Sequence, residues 1–249
     1  MSPLSAWKTP RWNEITAVLG GRFDPPHLGH REAVRGLFQN PGVKNVLILP
    51  SGHPPHKGTQ ASLADRVEMA RLAFQTGGPD AFPSEVSLDL TEVKWAQNHP
   101  HAPTYSFEII QQLKTRWPEL AFVIGTDQLL SLPSWHRFPE LLKLCHWIIL
   151  ERKSNTTEAG ASARKALSQW SSSGLLHAQS DQLWRTREGG NAVALLPTNA
   201  PALSSTEIRK EISQHGRAPE NSLPSEVLAY LMQKRLYGIE PQIGIHYDA

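Results

Sequence analysis

Gly20-Gly21-Arg22-Phe23-Asp24-Pro25-Pro26-His27-Leu28-Gly29-His30 places a strand end, a tight turn, two imidazoles and a helix start within eleven residues. Ile15 to Leu19, just before it, is a short apolar run that reads as a strand. Gly20-Gly21 then lets the backbone turn sharply with nothing projecting above the strand end. His27 and His30 are three apart, so a helix beginning near Leu28 puts both rings by its first turn, where unpaired N–H groups and the helix dipole attract anions. The residues therefore describe an anion site at a strand-to-helix junction, of a kind suited to nucleotide phosphates. Two histidines at this spacing also occur in metal sites, but no third ligand is identifiable nearby. A dinucleotide oxidoreductase needs G-x-G-x-x-G after the strand, and this loop lacks it.

Working outward, Ala33, Val34, Leu37 and Phe38 form the apolar stripe of a helix over His30 to Gln39, stopped by Asn40-Pro41-Gly42. Asn45 to Pro50 is the next strand, which completes a βαβ unit with parallel pairing and ligands expected beyond the carboxyl ends of the strands. Ser51 to Gly58 is a stiff loop carrying His53, His56 and Lys57 to the same edge. A helix follows over Leu63 to Phe74, where Asp65 and Arg66 read as solvated or fold-tethering rather than catalytic. Val86 to Val93 reads as a strand, Lys94 to Pro103 as a loop, and Phe107 to Trp117 as a helix. Leu120 to Ile124 is a strand opening into Gly125-Thr126-Asp127, with Leu132-Pro133-Ser134-Trp135 beyond. Leu144 to Leu150 is another strand, with His146 and Trp147 read as flank and core. From Glu151 to Gly190 the composition shifts to Ser, Ala, Gln and charge, with one helix expected around Ala161 to Trp170. Ala192 to Leu196 returns to strand. Ser204-Ser205-Thr206 then opens a helix with Arg209 one turn on, a second anion-binding terminus. Ser225 to Leu236 is a closing amphipathic helix.

The eleven-residue turn, G-G-x-F-D-P-x-H-x-G-H, resembles the signature of the bacterial nicotinate-nucleotide adenylyltransferases, within the nucleotidyltransferase superfamily that shares H-x-G-H. The P-P-H-K loop, the hydroxyl-rich Tyr105-Ser106, the G-x-D followed by L-P-x-W, the S-S-T-x-I-R element and the closing Tyr230, Leu236 and Tyr237 are similar to the same family, in the same order. Two positions depart from it: Arg22 stands where a small hydroxyl residue is usual, and Thr126 where alanine is. A guanidinium at Arg22 offers phosphate bonding in place of the hydroxyl.

The resemblance implies an α/β fold, a Rossmann-like doubly wound parallel sheet with helices on both faces and a small C-terminal helical part. It implies transfer of AMP from ATP to nicotinate mononucleotide, with Mg²⁺ carried on the ATP and no protein metal site. His27, His30 and Arg209 are then expected to be catalytic. Gly20, Gly21, Arg22, Phe23, Gly29, Gly125, Asp127, Ser204, Ser205 and Thr206 join them around ATP. Asp24, His56, Lys57, Tyr105, Ser106 and Trp135 are expected around the mononucleotide, Trp135 as the surface that stacks on the pyridine ring. Other acceptors in the superfamily, nicotinamide mononucleotide first among them, and a non-catalytic nucleotide-binding protein are the alternatives.

Composition narrows the class. A chain of 249 residues accommodates one substantial α/β unit. Residues 1–14 read as an N-terminal arm, 15–238 as a single nucleotidyltransferase domain with 151–190 as its expanded region, and 239–249 as a tail. A net charge of +2 without a dense basic run argues against nucleic acid or membrane as partner. Cys145 is the only cysteine, so no internal disulfide forms. No apolar run of signal-peptide or membrane-spanning length appears, and a cytoplasmic protein, possible as a homo-oligomer, is expected.

Overall fold

The structure, a computed structural model, describes residues 10–53, 60–75, 81–152 and 158–240. The chain runs β1 (Thr16–Gly21), α1 (Leu28–Gln39), β2 (Asn45–Pro50), α2 (Leu63–Gln75), β3 (Val86–Leu88), α3 (Thr91–Asn98), α4 (Ser106–Lys114) and β4 (Leu120–Gly125). It continues with α5 (Thr126–Ser131), β5 (His146–Arg152), α6 (Glu158–Ser172), β6 (Leu176–Ser180), β7 (Leu183–Thr186), β8 (Ala192–Thr198), α7 (Ser205–His215) and α8 (Ser225–Lys234).

The strands form one sheet in the order β3-β2-β1-β4-β5-β8-β7-β6. All neighbours from β3 to β8 are parallel, and β6 and β7 join antiparallel at one edge. From β1 the chain first winds outward to β2 and β3, then returns to lay β4 on the other side of β1. The carboxyl ends of β1 and β4 therefore diverge into a crevice, which is where open α/β sheets bind ligands.

Both faces of the sheet are covered at its centre, so β1, β2, β4, β5 and β8 read as continuous apolar runs rather than alternating ones. Ala17, Leu19, Val123, Ile148 and Leu150 face a cluster with Val34 and Leu37 of α1, Met69 and Phe74 of α2, Ile208 and Ile212 of α7, and Leu231 of α8. Val18, Phe122, Ile124, Trp147 and Ile149 face a second cluster with Ile110 and Leu113 of α4, Leu129 of α5 and Leu167 of α6. Each fully buried aliphatic side chain contributes about 2 kcal/mol, so packing on the sheet outweighs the helices' own propensity. Cys145 sits in the second cluster at 2% exposure, where burial pushes its thiol up to about 12.

Four expectations from sequence need correction. The strand begun at Val86 ends at Leu88, because the Asp89 carboxylate accepts the Thr91 N–H at 2.8 Å and starts a helix there. That helix, α3, extends through Asn98 and buries Val93 and Ala96 three residues apart, where a loop was expected. Inside 151–190 the chain forms the β6–β7 hairpin, with Trp184 reaching the second cluster. At the C-terminus, Ile239 is buried and the Glu240 N–H donates to the Gly216 carbonyl at 2.9 Å, so the packed chain extends past residue 238. No helix among the described residues is long and apolar enough to cross a membrane.

Candidate active site

A cleft of about 460 Å³ opens at the β1/β4 crevice. Gly20, Gly21, Arg22, Phe23, His27, Gly29 and His30 line it from the first turn, and Gly125, Asp127 and Trp135 from the end of β4 and beyond. Ser204, Ser205 and Thr206 at the start of α7, and Tyr105 and Ser106 at the start of α4, complete the sequence-expected lining. His56 and Lys57 lie outside the described residues. Gly20 and Gly21 each have a ring packed closely against them, which the sequence did not display. A Cβ on Gly20 would stand 3.1 Å from the Phe122 ring, and one on Gly21 3.0 Å from the Phe23 ring. The glycines admit aromatic rings that floor the cleft.

His27 is the N-cap of α1 and His30 its third residue. Their rings stack with centroids 3.7 Å apart, and Phe23 meets His30 edge-on at 5.2 Å. The His27 backbone N–H donates to His30 Nδ1 at 3.2 Å. A nitrogen that accepts carries no proton, so the His30 ring presents Nε2 as its N–H donor. Arg22 is half-buried on the cleft wall. Burial first, then Arg209, bear on its guanidinium to lower its pKa, with Asp24 opposing. It stays charged.

Asp24 and Arg209 occupy a different place from the one expected. Neither lines the cleft. Asp24 is 0% exposed, and its carboxylate accepts the Gln60 and Ala61 N–H groups at 3.0 and 3.1 Å and the Tyr237 hydroxyl at 2.7 Å. Arg209 lies below it, with Nη1 donating to the Asp24 carbonyl at 2.6 Å and standing 3.7 Å from the carboxylate. A buried carboxylate is stable only when paired and hydrogen-bonded, and these partners satisfy it from within the protein. Both residues thus hold the turn. Ser205 does some of each, lining the cleft while its hydroxyl donates to the Pro25 carbonyl at 2.8 Å.

Arg66, read from sequence as solvated or fold-tethering, is a buried tether. At 1% exposure, its guanidinium donates to the Arg22 carbonyl at 2.9 Å, the Gly52 carbonyl at 3.1 Å and the Ser51 hydroxyl at 3.3 Å. It joins the end of β1 to the end of β2 beneath the cleft floor.

The cleft also contains residues that the sequence reading missed: Ser51, Glu92, Thr104, Gln128 and His136. Glu92 accepts the Gly52 N–H at 3.0 Å and the Thr104 hydroxyl at 2.7 Å on the same oxygen. Burial pushes its carboxyl above the ordinary glutamate value, against the pull of Thr104, Gly52 and Arg66. The available signal was Asp89 followed three residues later by Glu92, a helix-start pattern hidden within an apparent strand. His136 stacks on Tyr105 at 4.4 Å, and Gln128 accepts the Gly125 N–H at 3.1 Å. Among the described residues, no group of three or more His, Cys, Asp or Glu is placed to hold a metal ion.

A family model described as cytidylyltransferase-like matches residues 18–211. A Shewanella woodyi protein named probable nicotinate-nucleotide adenylyltransferase is 31% identical over 223 residues, covering 88% of this chain and 97% of that protein. The chain belongs to the nicotinate-nucleotide adenylyltransferase family. Another member, from Pectobacterium atrosepticum, is 32% identical over 90% of this chain and 98% of its own. The family fold is recovered independently in the Plasmodium falciparum nicotinic acid mononucleotide adenylyltransferase complexed with NaAD, with a TM-score of 0.64 at 16% identity, over 90% of this chain and 98% of that one. This enzyme is thus a nucleotidyltransferase, and its departures from the family pattern at Arg22 and Thr126 sit on the cleft wall and at the first residue of α5.

Proposed function

We propose that this chain transfers AMP from ATP to nicotinate mononucleotide, giving nicotinate adenine dinucleotide and pyrophosphate in NAD biosynthesis. The observation that carries this reading is the convergence of sequence-distant elements, the 20–30 turn, the α4 and α5 starts and the α7 start, on one cleft at the β1/β4 crevice. An oxygen of the mononucleotide phosphate attacks the α-phosphorus of ATP. The bond from that phosphorus to the bridging oxygen breaks, and its electron pair leaves with pyrophosphate. The attacking phosphate is largely ionised near neutral pH, its second pKa being about 6, so no general base is required.

Catalysis then consists of alignment and charge stabilisation. His30, through Nε2, and His27 act on the oxygens that gain charge, and Arg22 supplies a desolvated positive charge beside them. Ser204, Ser205 and Thr206 bind the ATP phosphates, with Gly20, Gly21, Phe23, Gly29, Gly125 and Asp127 shaping the nucleotide site. Tyr105, Ser106 and Trp135 take the pyridine nucleotide, with His56 and Lys57 assisting. Arg209 acts from below as a positioning residue. Mg²⁺ enters as part of the ATP substrate, since it keeps waters and prefers phosphate oxygens. We place the reaction in the cytoplasm, with which a single buried cysteine accords.

The deciding experiment is pyrophosphate release from ATP·Mg²⁺ with nicotinate and nicotinamide mononucleotide in parallel. A large preference for nicotinate is expected. Comparable rates would mean dual specificity, and release with neither would refute the assignment.

A further inference from the structure

The turn that carries His27 is held from below by the last third of the chain. Leu28 N–H donates to the Ser222 carbonyl at 2.9 Å, the Ser205 hydroxyl to the Pro25 carbonyl at 2.8 Å, and Arg209 to the Asp24 carbonyl at 2.6 Å. The Tyr237 hydroxyl adds a bond to the Asp24 carboxylate at 2.7 Å. An ionised carboxylate only accepts, so its position is set by its donors. Two of these are the Gln60 and Ala61 N–H groups, and the third is Tyr237.

The segment bringing Tyr237 there is itself constrained. Arg235 and Tyr237 have φ of 50° and 60°, a left-handed conformation that residues with side chains keep only where their surroundings enforce it. Ile239 is buried just beyond, and Glu240 is bonded to Gly216. Burial and the Asp24 bond push the Tyr237 phenol well above the usual tyrosine range, so it remains a donor throughout the neutral and mildly alkaline range. Tyr237 does not line the cleft.

We propose that Tyr237 is a positioning residue of the adenylyl transfer: through Asp24 it fixes the backbone carrying His27, and so governs turnover without touching a substrate. The inference rests on the reaction proposed above. It assigns the C-terminal turn to the active-site architecture, 213 residues along the chain from the aspartate it holds.

The structure contains a matched control. Tyr230 also donates to an aspartate, Asp65, at 2.8 Å, and it too joins the C-terminal region to the body of the domain, but its acceptor belongs to α2 and not to the turn. Tyr237→Phe and Tyr230→Phe each delete one oxygen and keep the ring. Both are made in the full chain and assayed for pyrophosphate release, with amide hydrogen exchange followed over residues 22–30. Tyr237→Phe should lower kcat by about 10-fold with both KM values within about twofold, the pattern of misaligned rather than lost substrate contacts. It should also speed exchange across the turn. Tyr230→Phe should match wild type in both readouts. The proposal is overturned by wild-type kcat in Tyr237→Phe, by an equal loss in Tyr230→Phe, by an effect confined to KM, or by a Tyr237→Phe chain that does not fold. If wild type turns over no mononucleotide, the reaction is wrong while the exchange comparison still decides whether Tyr237 holds the turn.

Discussion

His30 has its orientation set by a main-chain bond, the His27 N–H on its Nδ1, together with the stacked His27 ring and the edge-on Phe23 ring. That bond leaves one nitrogen to donate, and a donor that is aligned before substrate arrives needs no reorganisation during the reaction. His30→Ala should therefore lower kcat by ~10²-fold or more, the usual cost of removing a charge-stabilising donor. Steady-state kinetics on the folded variant checks this, and unchanged turnover would refute the role. Glu92 makes a prediction of a different kind. Its folded pKa lies above the ordinary 4.5, so its protonated form is favoured in the folded chain. The associated stability is complete at pH below that value and is lost as pH rises through the raised one. Glu92→Gln, which keeps an acceptor for Thr104 and Gly52, should lose this dependence. The Tm of the variant relative to wild type should rise with pH above about 4.5, and a pH-independent difference would count against the shift. Residue types at these positions were legible in the sequence, but roles were not always. Asp24 and Arg209 stand inside the motifs that mark the site, and a motif does not report which of its members is buried.

Among the elements, β1, α1, β2, α2 and β4 were legible within a residue or two, because their apolar spacing is long and regular. Region 86–98 was not. Val86 and Leu88 have strand spacing and Val93 and Ala96 helix spacing, and the Asp89 carboxylate that separates them acts through a hydrogen bond that periodicity cannot display. The β6–β7 hairpin escaped for the opposite reason: β6 is largely exposed and polar, so little hydrophobic pattern marks it. The placement of α3 has a testable consequence at Gly52. A Cβ there would lie 2.6 Å from the Ala96 Cβ and 2.7 Å from the Glu92 carbonyl oxygen, contacts that α3 can relieve only by moving. Gly52→Ala should cost about 1–3 kcal/mol, read as a lower denaturant midpoint at unchanged slope. A midpoint like that of wild type would mean that α3 yields easily.

For the whole molecule, the controlling feature is that no contiguous piece owns the active site. The cleft draws on residues from Leu19 to Thr206, and Asp24, within the turn that lines it, is bonded to Tyr237 from the last turn. That arrangement follows from the strand order, which puts β1 at the centre and brings each later crossover back to the same edge. The sequence revealed the convergence only through resemblance, since neither composition nor periodicity states which strand neighbours which.

The single thiol turns this architecture into its own reporter. Alkylating agents attack thiolate and need access to it, and Cys145 in the folded protein offers neither. Iodoacetamide should modify it only through opening of the second core cluster, with a half-time at least ~10³-fold longer than in denaturant. Mass spectrometry over time would measure this, and labelling of the native protein at the denatured rate would contradict it. One unengineered atom thus allows the opening of the fold to be timed by a chemical clock, in working enzyme and without any introduced probe.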